Sequence, residues 1–206
     1  MNRFTKSLRF TLPLALAALL LPAVAGAATW DADPAHSAVE FSVRHFFTPV
    51  PGKFKQFDGT IEYDPEKVAD ASVEFIVQAD SIDTANDDRD QHLRSADFFH
   101  VEKFPTLSFE STHVKSAGDN KLMVTGDLTI HGVTQKVTIP VEVLGVMDTP
   151  MGTRAGFATE FTIDRKDYGI TWNRALDSGG AVLGDDVTIE INVEAKKAEM
   201  EETAAQ

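Results

Sequence analysis

The chain has no cysteine, only two tryptophans and two tyrosines, and 19 Lys and Arg against 32 Asp and Glu among its 206 residues. Without cysteine there can be no disulfides, thiol nucleophiles or thiolate metal sites, so a folded form must hold together by burial and backbone pairing. The formal charge of -13 repels phosphate backbones, and nucleic acid is not an expected partner. Beyond residue 27 no apolar run approaches the about 20 residues that a membrane-crossing helix requires, so no membrane span is expected in the mature chain.

What is present begins with an address. Arg3, Lys6 and Arg9 precede an apolar run over residues 12–24, and Ala25-Gly26-Ala27 supplies the small-x-small pattern of a cleavage site. Residues 1–27 therefore read as a secretory signal peptide, too short for an anchor and lacking the cysteine of a lipoprotein. Its removal takes the basic residues from 19 to 16 and no acidic ones, which makes the mature chain still more acidic. The expected organisation is a signal peptide at 1–27, one domain at 28–195 and a flexible charged tail at 196–206, KKAEMEETAAQ.

The dominant pattern in the domain has period two. Val39, Phe41 and Val43 alternate with polar residues, as do Val73, Phe75 and Val77; Leu122, Val124, Leu128 and Ile130; Val137, Ile139, Val141 and Val143; Phe157, Phe161 and Ile163; and Val187, Ile189, Ile191 and Val193. Each run predicts a half-buried strand, and shorter runs at 53–63 and 106–111 bring the count to about eight. Phe54 and Phe57 differ in parity, so a bulge near Gln56 or Asp58, or a bend at Gly59, is expected between them. His131-Gly132-Val133-Thr134 predicts a hairpin. Eight antiparallel strands can form a sandwich or close into a barrel; closure removes exposed edges and leaves an interior just wide enough to be filled or to hold one slim ligand.

Two segments depart from alternation. Residues 166–186, KDYGITWNRALDSGGAVLGDD, form a long link of lid-like character. Residues 81–109, SIDTANDDRDQHLRSADFFHVEKFPTLSF, are crowded with charge. Here Asn86 is suited to cap a helix, Asp87, Asp88 and Asp90 to its first turn, and Asp90 with Arg94 to an i,i+4 pair. A calcium loop starting at Asp83 fails at Ala85, Asp88 and Arg94. His92 and His100 are eight apart, with no His-Glu-x-x-His, and a third ligand from His36, His45, His113 or His131 has no spacing to recommend it, so no metal is expected. Ser178 lacks the glycine two residues before it that a nucleophile elbow needs. Paired carboxylates can be drawn at will from 32 acidic residues, so their presence marks a solvated surface. No catalytic residue emerges. His45 continues the inward parity of Val43; it either meets a ligand's polar head at a mouth or is a core histidine satisfied by backbone.

Six stretches, HSAVEFSVRH, VPGKFKQFDGTI, SIDTANDDRDQHLRSADFFHVEKFPTLSFEST, VTGDLTIHGVTQKVTIPVE, RAGFATEFTIDRKDYGITWN and LGDDVTIEINVEA, follow one another as in the YceI-like polyisoprenoid-binding proteins, which the chain resembles from Trp30 to about Ala195. The resemblance implies an all-β, lipocalin-like extended eight-stranded antiparallel barrel with a short helix and a lid-like loop. It also implies a periplasmic setting, a bound isoprenoid quinone, polyprenyl phosphate or similar amphiphile, no cofactor and no enzymatic activity. Relatives often pair, and the outward Ile76 is compatible with a homodimer. Pro49, Pro51 and Gln135 depart mildly from the family pattern.

Parity then assigns Phe41, Val43, Phe54, Phe75, Phe109, Leu128, Phe157 and Phe161 to the channel wall, with His45 and Trp172 near an opening, and the resemblance implies that Phe98 and Phe99 seal apolar surface. Burying one five-carbon unit contributes about 3 kcal/mol before entropy costs. The rival expectations are an enzyme acting on a lipid inside the barrel and a solid, ligand-free structural or stress-related module.

Overall fold

The computed structural model describes residues 27–175 and 181–199. Residues 1–26 of the expected signal peptide, Leu176, Ser178 and the tail beyond residue 199 lie outside the described residues. The elements are β1 (Ala28–Ala32), β2 (Ala38–His45), β3 (Thr48–Phe54), β4 (Phe57–Tyr63), β5 (Ser72–Gln78), β6 (Ile82–Asp83), α1 (Asp87–Arg94), β7 (Thr106–Ser116), β8 (Lys121–Ile130), β9 (Val133–Thr149), β10 (Gly152–Asp164) and β11 (Leu183–Lys197). Short 3-10 turns lie at Val68–Asp70, Ala79–Ser81 and Arg165–Tyr168.

All pairings are antiparallel, and β1 pairs with both β4 and β11, so the ring β1-β4-β5-β7-β8-β9-β10-β11 closes with eight members. The remaining segments are continuations. β1 and β2 run in succession along one side of β11, where Trp30 faces Lys197 and, after a break, Val39 faces Ile191. β3 and β4 pair in turn with β2 and β1, and β6 extends the position of β5 to meet β3 at Lys53 and Phe54. The expected eight-stranded barrel is thus an up-and-down meander with three of its strands broken.

The break between β3 and β4 falls at Lys55 and Gln56. Ser81 sits opposite it: its carbonyl accepts from Lys55 N, its hydroxyl accepts from Gln56 N (3.1 Å) and donates to Gln78 O (2.7 Å). The two residues outside the strand ladder change the parity, so both Phe54 and Phe57 are buried. The hairpin expected at His131-Gly132 is a two-residue turn with φ of 53° and 73°, the type I′ signature, and a Cβ on Gly132 would strike the Phe104 ring.

The helix is capped as its sequence suggests, Asn86 Oδ1 accepting from Arg89 N at 2.9 Å. The Asp90–Arg94 pair does not form. Asp90 is buried and accepts from Thr84 N (2.9 Å) and Thr84 Oγ1 (2.5 Å), whereas Arg94 reaches the carbonyls of Asp80 and Ile82, each at 2.7 Å. Asp90 is turned inward to Thr84, and the carbonyls of the 3-10 turn and of β6 take the Arg94 donors instead.

At the barrel end formed by β1, β4 and the close of β11, Trp30, Tyr63, Ala155 and Ala195 are packed shut, with Trp30 Nε1 donating to Tyr63 O (3.2 Å) and Tyr63 edge-on to Phe157 at 5.8 Å. β11 runs to Lys197, two residues past the expected boundary, because Lys196 and Lys197 still pair with Asp31 and Trp30.

Candidate functional site

The inward faces of the strands do not meet across the axis. They surround a cavity of about 410 Å³, within the range of small-molecule sites. It runs from His45, Val50 and Leu183 at one end to Ile61, Tyr63 and Leu122 toward the other. All ten residues singled out by parity border it: Phe41, Val43, His45, Phe54, Phe75, Phe109, Leu128, Phe157, Phe161 and Trp172. His45 is exposed at the mouth, its ring edge-on to Phe46 at 4.5 Å.

Three glycines, Gly52, Gly59 and Gly126, make room for the aromatic wall. A Cβ at Gly59 would stand 2.3 Å from the Phe75 ring, and one at Gly52 would stand 2.3 Å from Phe41. The bare backbone lets each ring lie flat against the facing strand. Phe57 stacks on Phe75 at 5.6 Å, and Phe41, Phe54 and Phe99 follow one another at 5.6 and 5.7 Å.

The lid end carries the polar groups. Leu93, His92 and Arg89 occupy one side of α1 and border the cavity, with Phe98 and Phe99 from the segment after it. Trp172, His92 and Phe98 form a triad with ring centroids 5.0 to 5.2 Å apart, and His92 Nε2 lies 3.0 Å from Asp97 Oδ2. The Arg89 guanidinium is held by Thr84, Nε donating to Oγ1 and Nη2 to the carbonyl, both at 2.7 Å.

The β9–β10 ladder stops at Glu142 and Ala158. Pro140 has no N–H to extend it, and Thr159 Oγ1 donates to the Pro140 carbonyl instead at 2.6 Å. Above this split the turn after β10 is tied to the β8–β9 hairpin, with His131 Nδ1 donating to Tyr168 O (3.2 Å) and Gln135 Nε2 to Asp167 O (3.0 Å). Burial pushes the Tyr168 phenol up to about 12 and raises Tyr63, so both stay neutral at the cavity wall. Arg165, 4% exposed, satisfies three carbonyls of the lid link and pairs with Asp185 at 3.2 Å. Burial pulls its own affinity for a proton down, and Asp185 opposes that.

Apart from His45, the strand positions that parity assigns to the wall are all apolar. Parity missed Arg89, His92 and Arg165, which the helix and the turn after β10 bring to the wall. The spacing 89, 92, 93 places those residues on one helical face and was a usable signal; nothing near Arg165 announced its role.

A second cluster lies outside the barrel, where ligand atoms of Asp33, His36 and Glu194 come within 4.8 Å of one another. Lys196 Nζ stands 2.8 Å and Arg154 Nη1 3.6 Å from Asp33 Oδ2. The hydrogen bond from Lys196, helped by those from His36 and Ala35, holds the Asp33 carboxyl at about 2 against the opposing effect of burial. Two resident cations already neutralise this carboxylate, so the cluster is an ion-pair clasp on the β1–β11 seam rather than a cation site.

A closed eight-stranded barrel with an apolar internal cavity under an aromatic lid has a lipocalin-like shape. The chain belongs to the YceI-like domain family, which it matches over residues 30–195. It is 44% identical to a UPF0312 protein of Shewanella denitrificans over 160 residues, 75% of this chain and 83% of that one. Its structure is similar to Burkholderia cenocepacia BcnA, with a TM-score of 0.73 and 27% identity, covering 80% of this chain and 99% of the other. A polyisoprenoid binding domain from Saccharophagus degradans, implicated in plant cell wall breakdown, shares the fold, with a TM-score of 0.64 and 16% identity over 84% and 99% of the two chains.

Proposed function

We propose that the protein binds a single polyisoprenoid chain, of the isoprenoid quinone or polyprenyl phosphate class, without altering it, and that it works in the periplasm after export. The observation that carries this reading is the cavity: about 410 Å³ bordered mostly by Phe, Val, Ile and Leu, with Arg89, His92, Trp172 and His45 gathered at the lid end. Each methylene-sized group moved from water to such a wall contributes about 0.8 kcal/mol, so a tail of several units binds without charged contacts. No cofactor is needed for that task. The polyisoprenoid binding domain that shares the fold supports the ligand class, and among the described residues no helix is long and apolar enough to cross a membrane.

Native mass spectrometry of protein purified from its own membrane-containing host tests the reading. Extra mass that releases a prenyl lipid on denaturation is expected, and a folded Phe161→Asp variant should come out empty. Wild-type protein that is always empty, or lipid retained by that variant, would overturn it.

A further inference from the structure

The β2–β3 hairpin ends on Phe46 and Phe47, which are 41% and 95% exposed. The later hairpins turn on residues suited to positive φ: Gly118 and Asn120 between β7 and β8, Gly132 between β8 and β9, Gly152 beside the β9–β10 turn. At the β2–β3 tip a phenylalanine, Phe46, takes φ of 51°, a region costly for a bulky side chain. The tip is held in place regardless. Phe46 N donates to Val182 O at 2.8 Å, and Arg44 Nη1 donates to Phe46 O at 2.5 Å. A local rule broken and then braced marks a position kept for something other than folding.

The tip adjoins the cavity mouth. His45 and Val43 precede Phe46 on β2, Val50 follows on β3, Val182 bonds to it, and all four border the cavity. The free edge of β3 excludes one class of partner. β3 meets β6 only at Lys53 and Phe54, which leaves residues 48–52 unpaired on that side. In the tight hairpin Thr48, Val50 and Gly52 pair with His45, Val43 and Phe41, so the amides of positions 49 and 51 would face outward. Both positions are proline, the edge offers no donors there, and strand addition by a protein segment is blocked. The chain's formal charge of -13 gives no general attraction to anionic surfaces, whereas exposed Arg44 and Arg174 flank the tip, Arg174 O accepting from Val182 N.

We propose that Phe46 and Phe47 insert into a phospholipid bilayer and set the barrel's mouth against it, so that a prenyl chain passes between membrane and cavity without crossing water. This rests on the lipid-holding reading of the cavity. Two phenylalanines at an interface give weak, reversible attachment, as a shuttling carrier requires.

Flotation of the full chain with phosphatidylcholine vesicles, with and without phosphatidylglycerol, tests it. Wild-type protein should float with the vesicles, and the double variant Phe46→Ser, Phe47→Ser should partition at least about tenfold less. That variant should still load a detergent-dispersed prenyl alcohol as wild type does. If it misfolds, Phe47→Ser alone gives the same readout, since that ring touches little else. Phe161→Asp should float normally yet stay empty, so a failure of the cavity reading shows in loading and a failure of docking shows in flotation. Equal flotation of wild type and hairpin variant overturns the proposal. So does unchanged flotation accompanied, in light scattering, by loss of self-association, which would assign the hairpin to a second copy.

Discussion

Arg165 Nη1 donates to the carbonyl of Trp172 at 2.9 Å, so the one indole at the cavity mouth is placed by an arginine seven residues earlier. The same guanidinium takes the carbonyls of Ile170 (2.7 Å) and Gly184 (2.8 Å), joining both ends of the lid link to the close of β10. Without it those carbonyls would be left without a donor.

Arg165→Met keeps the volume and removes the donors. The expected result is a loss of about 3 kcal/mol in denaturant unfolding, from orphaned carbonyls, while Asp185 keeps Lys166 Nζ at 2.7 Å. Trp172 fluorescence should shift to the red before global unfolding. A variant that unfolds like wild type with unchanged emission would show that the lid is held by its rings alone.

Gly59→Ala places a methyl where the Phe75 ring lies, 2.3 Å from its nearest carbon. The ring has to turn into the cavity, at a cost of about 1–3 kcal/mol. Adding Phe75→Leu should recover most of that loss, and a double-mutant cycle measures the coupling.

Ile189 is half-buried and borders the cavity from β11. Ile189→Phe should leave the melting temperature unchanged or higher, because the added atoms enter empty space. The same change in a filled core costs about 1–3 kcal/mol. Ligand capacity should fall, seen as shorter prenyl chains in the copurified pool.

Asp33 carries the acid sensitivity of the seam. Its folded-state value of about 2 lies below the ordinary aspartate value of 3.8, so its contribution is complete above about 3.8 and is lost as pH falls toward 2. Asp33→Asn should lower the melting temperature at pH 7 and flatten its pH dependence between 4 and 2. Equal slopes for the two proteins in that window would remove Asp33 from the account.

The sequence was legible wherever one physical rule acted alone. A strand turns alternate residues to alternate faces, so Phe41, Phe75, Phe109, Phe157 and Phe161 could be assigned to the interior from their parity, and a resemblance over 30–195 named the barrel. The helix cap at Asn86 and the turn at His131-Gly132 were likewise local matters. Asp90 shows where this ended: its i,i+4 partner was plausible in isolation, and the carbonyls of Asp80 and Ile82 took Arg94 elsewhere.

By itself, then, the sequence determined which residues face inward, because backbone periodicity is a property of neighbours along the chain. Tertiary structure alone decided that those faces leave a void, because the gap across an eight-stranded barrel is set by strand number and tilt rather than by any one side chain. It also decided which polar groups reach the wall: Arg89, His92 and Arg165 come from segments without alternation, whose course follows from what they must hydrogen-bond and cover.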